Sequence, residues 1–256
     1  EHLNHMDSRI FLRMVDLMAD HDLTDFLPHI EVPTLIIAGE KDLFTPLHRS
    51  RKMAAMLKVR STVFGAIHEY FRGQKFYEYQ SPIFQAVQCE GGSELFEVKY
   101  FDKKDVFLAQ TWQLYAEPAI FALEKIYTIA PSFRAEKSKT SRHLTEYWHA
   151  EMEMAWSTFE DIQNHGEGLI KHIVKRVLEV NQEELKVLER DVTKLEPTLT
   201  KPFVRMTYTQ ALDILKKKCK MDVEWGKDLR TVEEEKLTEL YDVPIIVTHY
   251  PKKVKA

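Results

Sequence analysis

Residues 133–156, FRAEKSKTSRHLTEYWHAEMEMAW, set an arginine two residues before a glutamate, follow them with a polar stretch, and close with acids alternating with methionines and aromatics. In an extended strand alternate side chains share a face, so Arg134 and Glu136 point one way and Phe133 and Ala135 the other. On the return arm Tyr147, His149, Glu151 and Glu153 line one face. Trp148, Ala150, Met152, Met154 and Trp156 line the other, which is apolar enough to serve as a core face. The chemistry that suits this arrangement is phosphate handling. A guanidinium grips phosphate oxygens through two parallel charged hydrogen bonds, and the loop KSKTSRH adds lysines, an arginine, a histidine and hydroxyls fit to hold a triphosphate. A half-buried antiparallel hairpin also carries one charged, solvated face as a matter of course, so on pattern alone both readings stand.

The elements that must position these residues follow from periodicity. Ile10, Phe11, Met14, Val15, Leu17 and Met18 recur at helical spacing, and VPTLIIAG is a short buried strand between a proline and a glycine. TPLHRSRKMAAML reads as helix with Pro46 at its start. From about Leu57 the character changes. VFGAIHEYFRGQKFYEYQSPIF pairs an amphipathic helix with an aromatic strand, while ELFEVKYF and VFLAQTWQLYAE continue as strands and KIYTIAPSFRAE resumes the sheet. EGLIKHIVKRVLEVNQEELKVL, with Leu169, Ile173, Val177 and Leu178 in phase, predicts one long helix. Thr207 with Gln210 and Thr231 with Glu234 have capping-box spacing and predict two further helix starts. The later block therefore reads as α+β, an antiparallel sheet flanked by helices.

Composition narrows the field. The chain has 256 residues and is 44% hydrophobic, enough for a sizeable core. Its net charge of −4 predicts no blanket attraction to nucleic acid or to anionic membrane, and neither DNA nor membrane is an expected partner. Cys89 and Cys219 stand far apart and outside metal-ligand spacing, which predicts reduced thiols in the cytoplasm and no metal site built from this chain. The apolar runs are too short to span a bilayer.

Residues 57–256 resemble the catalytic domain of class II aminoacyl-tRNA synthetases of the aspartyl/asparaginyl subgroup. FRGQKFYEYQSPIF resembles the first class motif, whose closing proline, here Pro82, lies at the family's dimer interface. EGGSELFEVKYF resembles the loop that closes over the amino acid, FLAQTWQLYAE the strand that binds it, and FRAEKSKTSRHLTEYWHAEMEMAW the second class motif. These blocks occur in the family's order. The resemblance implies a homodimer that uses ATP and Mg2+ to activate an amino acid as its adenylate and passes it to tRNA. It implies Arg134 as the catalytic arginine on the α-phosphate, with Glu136, His143 and Tyr147 completing the ATP side and Tyr147 stacking on adenine. Glu90 matches the closing-loop acid that takes the substrate ammonium, and Thr111 and Gln113 lie on the binding strand.

Which amino acid fits is a matter of charge. Aspartyl members carry a lysine directly after QLY to pair with the substrate carboxylate, whereas here Ala116 and then Glu117 follow. An acid there repels a carboxylate and accepts from an amide NH2, so the pair favours asparagine and tRNA(Asn). An aspartyl-tRNA synthetase, an asparagine-synthesising relative, or a catalytically silent dimerising or tRNA-associated fragment remain as alternatives. The family's glycine-rich third motif and its magnesium ligands are expected beyond PIIVTHYPKKVKA, outside this chain, and its anticodon-binding barrel before Leu57. Residues 1–56 instead resemble a late helix-strand-helix piece of an α/β hydrolase, with Asp42 at the position of a triad acid. No G-x-S-x-G elbow accompanies it, so no hydrolase activity is expected. His68, in FGAIHEY, reads as a surface histidine.

Overall fold

The computed structural model describes residues 47–86, 95–102, 105–135 and 144–254. The helix and strand expected before Pro46, together with Asp42 and Cys89, lie outside the described residues. Helix α1 runs unbroken from Leu47 to Gly73. Two helical stretches expected separately are therefore one element, and the expected division between residues 56 and 57 falls in its interior. No proline interrupts the run, and a lone interior glycine such as Gly65 costs only about 1 kcal/mol, too little to break it.

The chain divides into two compact units, one of Glu1–Phe64 and Arg176–Val192, the other of Gly65–Lys175 and Thr193–Ala256. In the first, Lys58 Nζ donates to Glu184 at 3.0 Å and Lys52 Nζ to Glu189 at 3.4 Å. Exposed pairs of this kind are worth about 0–1 kcal/mol, so they set orientation more than stability.

The second unit holds the sheet. Strand β4 (Lys125–Phe133) is central, with β1 (Tyr77–Glu78) parallel on one side and β5 (Glu146–Met154) antiparallel on the other. Its neighbours pair both of its edges, and since the four successive residues Ile126, Tyr127, Thr128 and Ile129 are all buried, both of its faces are covered there as well. A short hairpin precedes it, β2 (Phe84–Gln85) against β3 (Phe107–Leu108). ELFEVKYF forms no regular strand among the described residues; it meets this hairpin through Val98 N–H to Val106 O at 2.8 Å, Leu108 N–H to Phe96 O at 3.0 Å and an isolated Glu97–Phe107 bridge.

VFLAQTWQLYAE departs from expectation. Only Phe107–Leu108 are strand, and helix α2 runs from Gln113 to Leu123. Leu114, Ala116, Glu117, Ala119 and Leu123 are strong helix formers. The Thr111 hydroxyl accepts from Gln113 N–H at 3.1 Å, satisfying one of the orphan donors of the first turn.

The expected long helix is also two, α3 (Phe159–Val180) and α4 (Gln182–Val187), parted at Asn181, whose φ of −108° and ψ of 32° are not helical. After α5 (Glu196–Thr200), strand β6 (Val204–Thr207) pairs in parallel with β7 (Ile245–Thr248), and α6 (Tyr208–Cys219) and α7 (Thr231–Thr238) pack beside them. Met206, Tyr208, Ala211, Leu212, Leu215, Leu229 and Leu237 form the core there. Thr207 and Gln210 make the expected capping box. The second helix start shifts by one residue: Thr231 is already helical, and Glu233, not Glu234, accepts from Arg230 N–H at 2.9 Å.

Strand β5 reverses the expected faces. Trp148 is 42% exposed, Ala150 is exposed and Trp156, beyond the strand end, is 92% exposed, whereas the Glu151 side chain on the polar face is only 13% exposed. The polar face is the covered one because residues 111 and 112, entering α2, lean on it through Glu151. No described helix is long and apolar enough to cross a membrane.

Several carboxylates here carry acid-labile stability. The hydrogen bonds from Arg230 hold Glu233 below its ordinary pKa. Burial alone would raise Glu167, but hydrogen bonds from Lys171, Arg205 and Phe203 N–H outweigh it and hold it low. A lowered folded pKa means stability present above the unfolded value of about 4.3 and lost as pH falls through the folded values. Urea unfolding should therefore show a lower midpoint at about pH 3 than at about pH 7; an unchanged midpoint would contradict these assignments.

Candidate active site

The hairpin of β4 and β5 sets the first half of the site. Its ladder ends at Phe133 opposite Glu146, and Arg134 N–H adds one more bond, to Thr145 O at 2.9 Å. Arg134 is exposed, and its guanidinium carbon lies 5.7 Å from the centroid of the Tyr147 ring. Tyr147 sits opposite Ser132 on the facing strand, its ring 5.4 Å from that of His149. Burial pushes the Tyr147 phenol above its ordinary pKa, with the charge of Arg134 acting the other way. The ring is thus neutral and half-buried, with a cation beside it.

The second half is built where α2 begins. Phe133 N–H donates to Ala109 O at 2.8 Å, which ties the segment leading into α2 to the strand end that carries Arg134. Two residues on, the Thr111 hydroxyl donates to Glu151 Oε1, and Trp112 N–H donates to Oε2 at 3.2 Å. His149 Nδ1 stands 3.3 Å from the same Oε2 and 3.3 Å from Ser132 Oγ. Burial would raise the Glu151 pKa, but the hydrogen bonds from His149 and Thr111 hold it below the usual carboxylate range. Glu153, two residues along the same face, goes the other way: burial first, then the charges of Glu117 and Glu151, push it up.

Thr111 and Gln113 were expected on a strand; they stand at the entry and first turn of a helix. Gln113 Nε2 donates to Glu117 Oε1 at 3.2 Å, one helical turn on, and both are exposed. Ala116 does not open onto solvent beside Glu117. It is fully buried against Trp112 and Ile126. Pro82 is exposed, next to a string of exposed apolar residues: Ile83, Phe84, Tyr100 and Phe101, the last 84% exposed. Glu90, Glu136 and His143 lie outside the described residues. Among the described residues no group of three His, Cys, Asp or Glu side chains is placed to hold a metal ion.

Arg134 and Tyr147 thus stand at one end of the β4–β5 ladder, and Thr111 meets Glu151 further along the face that carries Tyr147. Chemically, an exposed guanidinium beside an aromatic face suits a phosphate joined to a flat ring, and the hydroxyl-carboxylate network suits a small polar ligand. Ser132, His149 and Glu151 were not singled out as site residues from sequence. Strand alternation places His149 and Glu151 on the face of Tyr147, but pattern alone treats that face as solvated.

Comparison with known proteins bears on the same residues. Residues 41–256 match the family described as tRNA synthetases class II (D, K and N). The match begins inside the segment read as hydrolase-like, and the comparisons lend that reading no support. The chain is 45% identical over 208 residues to asparagine–tRNA ligase of Thermococcus gammatolerans, covering 81% of this chain and 48% of that protein. It is 43% identical over 220 residues to asparagine–tRNA ligase of Thermoplasma acidophilum, covering 85% and 51%. The asparaginyl-tRNA synthetase of Pyrococcus horikoshii, solved with asparaginyl-adenylate, superposes with a TM-score of 0.78 at 41% identity, over 91% of this chain and 49% of that one. The chain spans about half the length of the curated relatives it matches. The α+β fold is that of class II catalytic domains.

Proposed function

The chain belongs to the class II tRNA synthetases of the D, K and N group, and on that footing we propose that it carries the amino-acid pocket and one wall of the ATP site of an asparagine–tRNA ligase. Arg134 beside the Tyr147 ring is the observation that carries the reading. ATP lies with its adenine on Tyr147 and its α-phosphate on Arg134, while Glu136 and His143 complete the phosphate side. Asparagine is taken by Glu90, Thr111, Gln113 and Glu117. A carboxylate oxygen of asparagine attacks the α-phosphorus, the bond to pyrophosphate breaks, and the asparaginyl group then passes to the 3′ end of tRNA(Asn) with AMP leaving. The protein forms no covalent intermediate; its part is positioning and the neutralising of phosphate charge. Magnesium, as the relatives' use of ATP implies, would shield the outer phosphates. The described residues offer it no ligand set, and no step is assigned to it.

Three finer points belong to this reading. The synthetase portion takes in the matched residues 41–256, with α1 whole, and residues 1–40 carry no assigned activity. The protein acts in the cytoplasm as a homodimer, and Pro82 with its exposed apolar neighbours supports that interface. Asparagine is preferred over aspartate because acids converge at α2: after burial, the charges of Glu117 and Glu151 both act on Glu153 and push its pKa up.

Calorimetric binding of the non-hydrolysable sulfamoyl analogues of asparaginyl- and aspartyl-adenylate tests the reading. The asparaginyl form should bind at least about tenfold more tightly; equal binding would favour an aspartyl enzyme, and no binding of either a silent, tRNA-associated chain. Ala116→Lys should narrow that preference toward aspartate, since its ammonium would reach the acids of the sheet face. It should also lower the melting temperature, because a long charged chain must enter a closed cluster. An unchanged preference in a folded variant would count against the pocket assignment.

A further inference from the structure

The residue read as a surface histidine leads to a network. His68 is half-buried, its Nδ1 2.8 Å from the hydroxyl of Tyr127, which is fully buried on β4 and stacks on Phe71 at 4.7 Å. The Glu78 carboxylate accepts from Arg72 Nη2 at 2.8 Å and from the Tyr127 hydroxyl at 3.4 Å. Its other oxygen accepts from Gln80 Nε2 at 3.2 Å, and Gln80 Oε1 accepts from the Thr128 hydroxyl at 3.0 Å. A carboxylate has only acceptors, so Gln80 can turn only its NH2 group to Glu78, and its carbonyl is left for Thr128, whose one proton must point back at it. The amide is oriented by chemistry as well as by distance.

Each of three successive residues is thereby tied to a different element. Glu78 is held by α1, the Tyr79 carbonyl accepts the indole N–H of buried Trp112 at 2.7 Å, and Gln80 holds buried Thr128. Thr128 stands directly opposite Glu151 in the β4–β5 register. Trp112 N–H and the Thr111 hydroxyl are the donors that Glu151 accepts. The ladder of β1 on β4 is only two residues long, Tyr77 with Ile126 and Glu78 with Tyr127, followed by Tyr79 N–H to Tyr127 O at 3.0 Å. Past that point the strand is placed by side chains.

We propose that Gln80 is a positioning residue for the amino-acid pocket: its amide locks residues 78–80 onto the sheet at Thr128 and so fixes Trp112 and Thr111 against Glu151. The inference rests on the pocket assignment above. Gln80 is exposed and touches no proposed substrate contact, so Gln80→Met removes both bonds without emptying the core. Thr128→Val removes the donor and keeps the shape.

In pyrophosphate exchange by the complete gene product, each single variant should raise the KM for asparagine about tenfold, the scale of one net hydrogen bond lost from the pocket's support. The double variant should raise it no further, because both changes cut the same link. The KM for ATP and kcat should stay within about twofold, a split that general loosening of the fold would not give. A second readout needs no turnover: the Trp112 indole N–H, assigned with Trp112→Phe, should exchange with solvent about tenfold faster in Gln80→Met. Unchanged indole exchange, an unchanged or additive asparagine KM, or an equal rise for ATP would overturn the proposal. A wild-type protein that fails to activate asparagine would count against the function itself, and indole exchange would still decide the role of Gln80.

Discussion

Arg134→Lys is expected to lower kcat/KM for asparagine-dependent pyrophosphate exchange by about a hundredfold or more, the usual scale for removing one preorganised charge donor from a transition state. In the proposed reaction, negative charge builds on the α-phosphate oxygens as the asparagine carboxylate attacks. A guanidinium meets two of those oxygens at once and stays charged at every working pH, whereas an ammonium is a single point with a different reach. The fold should survive the change. Arg134 is exposed, and its guanidinium carbon lies 5.7 Å from the centroid of the Tyr147 ring. The melting temperature should therefore stay near that of the wild type, and the loss should appear in kcat more than in either KM. Activity within about threefold of wild type would remove Arg134 from its proposed place on the phosphate.

Glu151→Ala is expected to act on stability and binding together. Its carboxylate accepts the Thr111 hydroxyl and the Trp112 N–H and faces His149, all on a side chain 13% exposed. Taking it away strands a covered backbone donor, at a cost of about 1–3 kcal/mol for each group left unpaired. Thr111 loses the acceptor that sets its hydroxyl, so the KM for asparagine should rise by about tenfold or more while that for ATP changes little. Glu151→Gln separates shape from acceptor capacity. A glutamine keeps the volume, but its NH2 must face donors on one side, so it should recover little of the loss. If Glu151→Gln binds asparagine as the wild type does, the carboxylate network is scaffolding only.

How far the sequence foretells this site depends on which residue is considered. The hairpin of β4 and β5 is legible because an apolar arm and an alternating arm flank a polar stretch; Tyr147 shares a face with His149 and Glu151 as the alternation predicts, and Arg134 follows directly on the facing arm. The capping box at Thr207 and Gln210 is legible because it is local chemistry. The covered face of β5 is not: Trp148 and Ala150 look like core, yet the burial goes to Glu151, because a turn some forty residues earlier supplies its donors. Alternation tells which side chains share a face, not which face another element covers. The same limit explains α2. Residues 107–117 hold enough apolar and aromatic side chains to read as strand, and only the Thr111 hydroxyl meeting Gln113 N–H marks where the helix begins. His68 reads as surface because its partner, Tyr127, is distant in sequence and close in space.

ATP–pyrophosphate exchange by the complete gene product, with asparagine and aspartate compared side by side in the presence of magnesium, tests the central claim most directly. Exchange that depends on asparagine, with kcat/KM at least about a hundredfold above that for aspartate and lost in Arg134→Lys, is the predicted result. Exchange that prefers aspartate, or none with either amino acid, would contradict it.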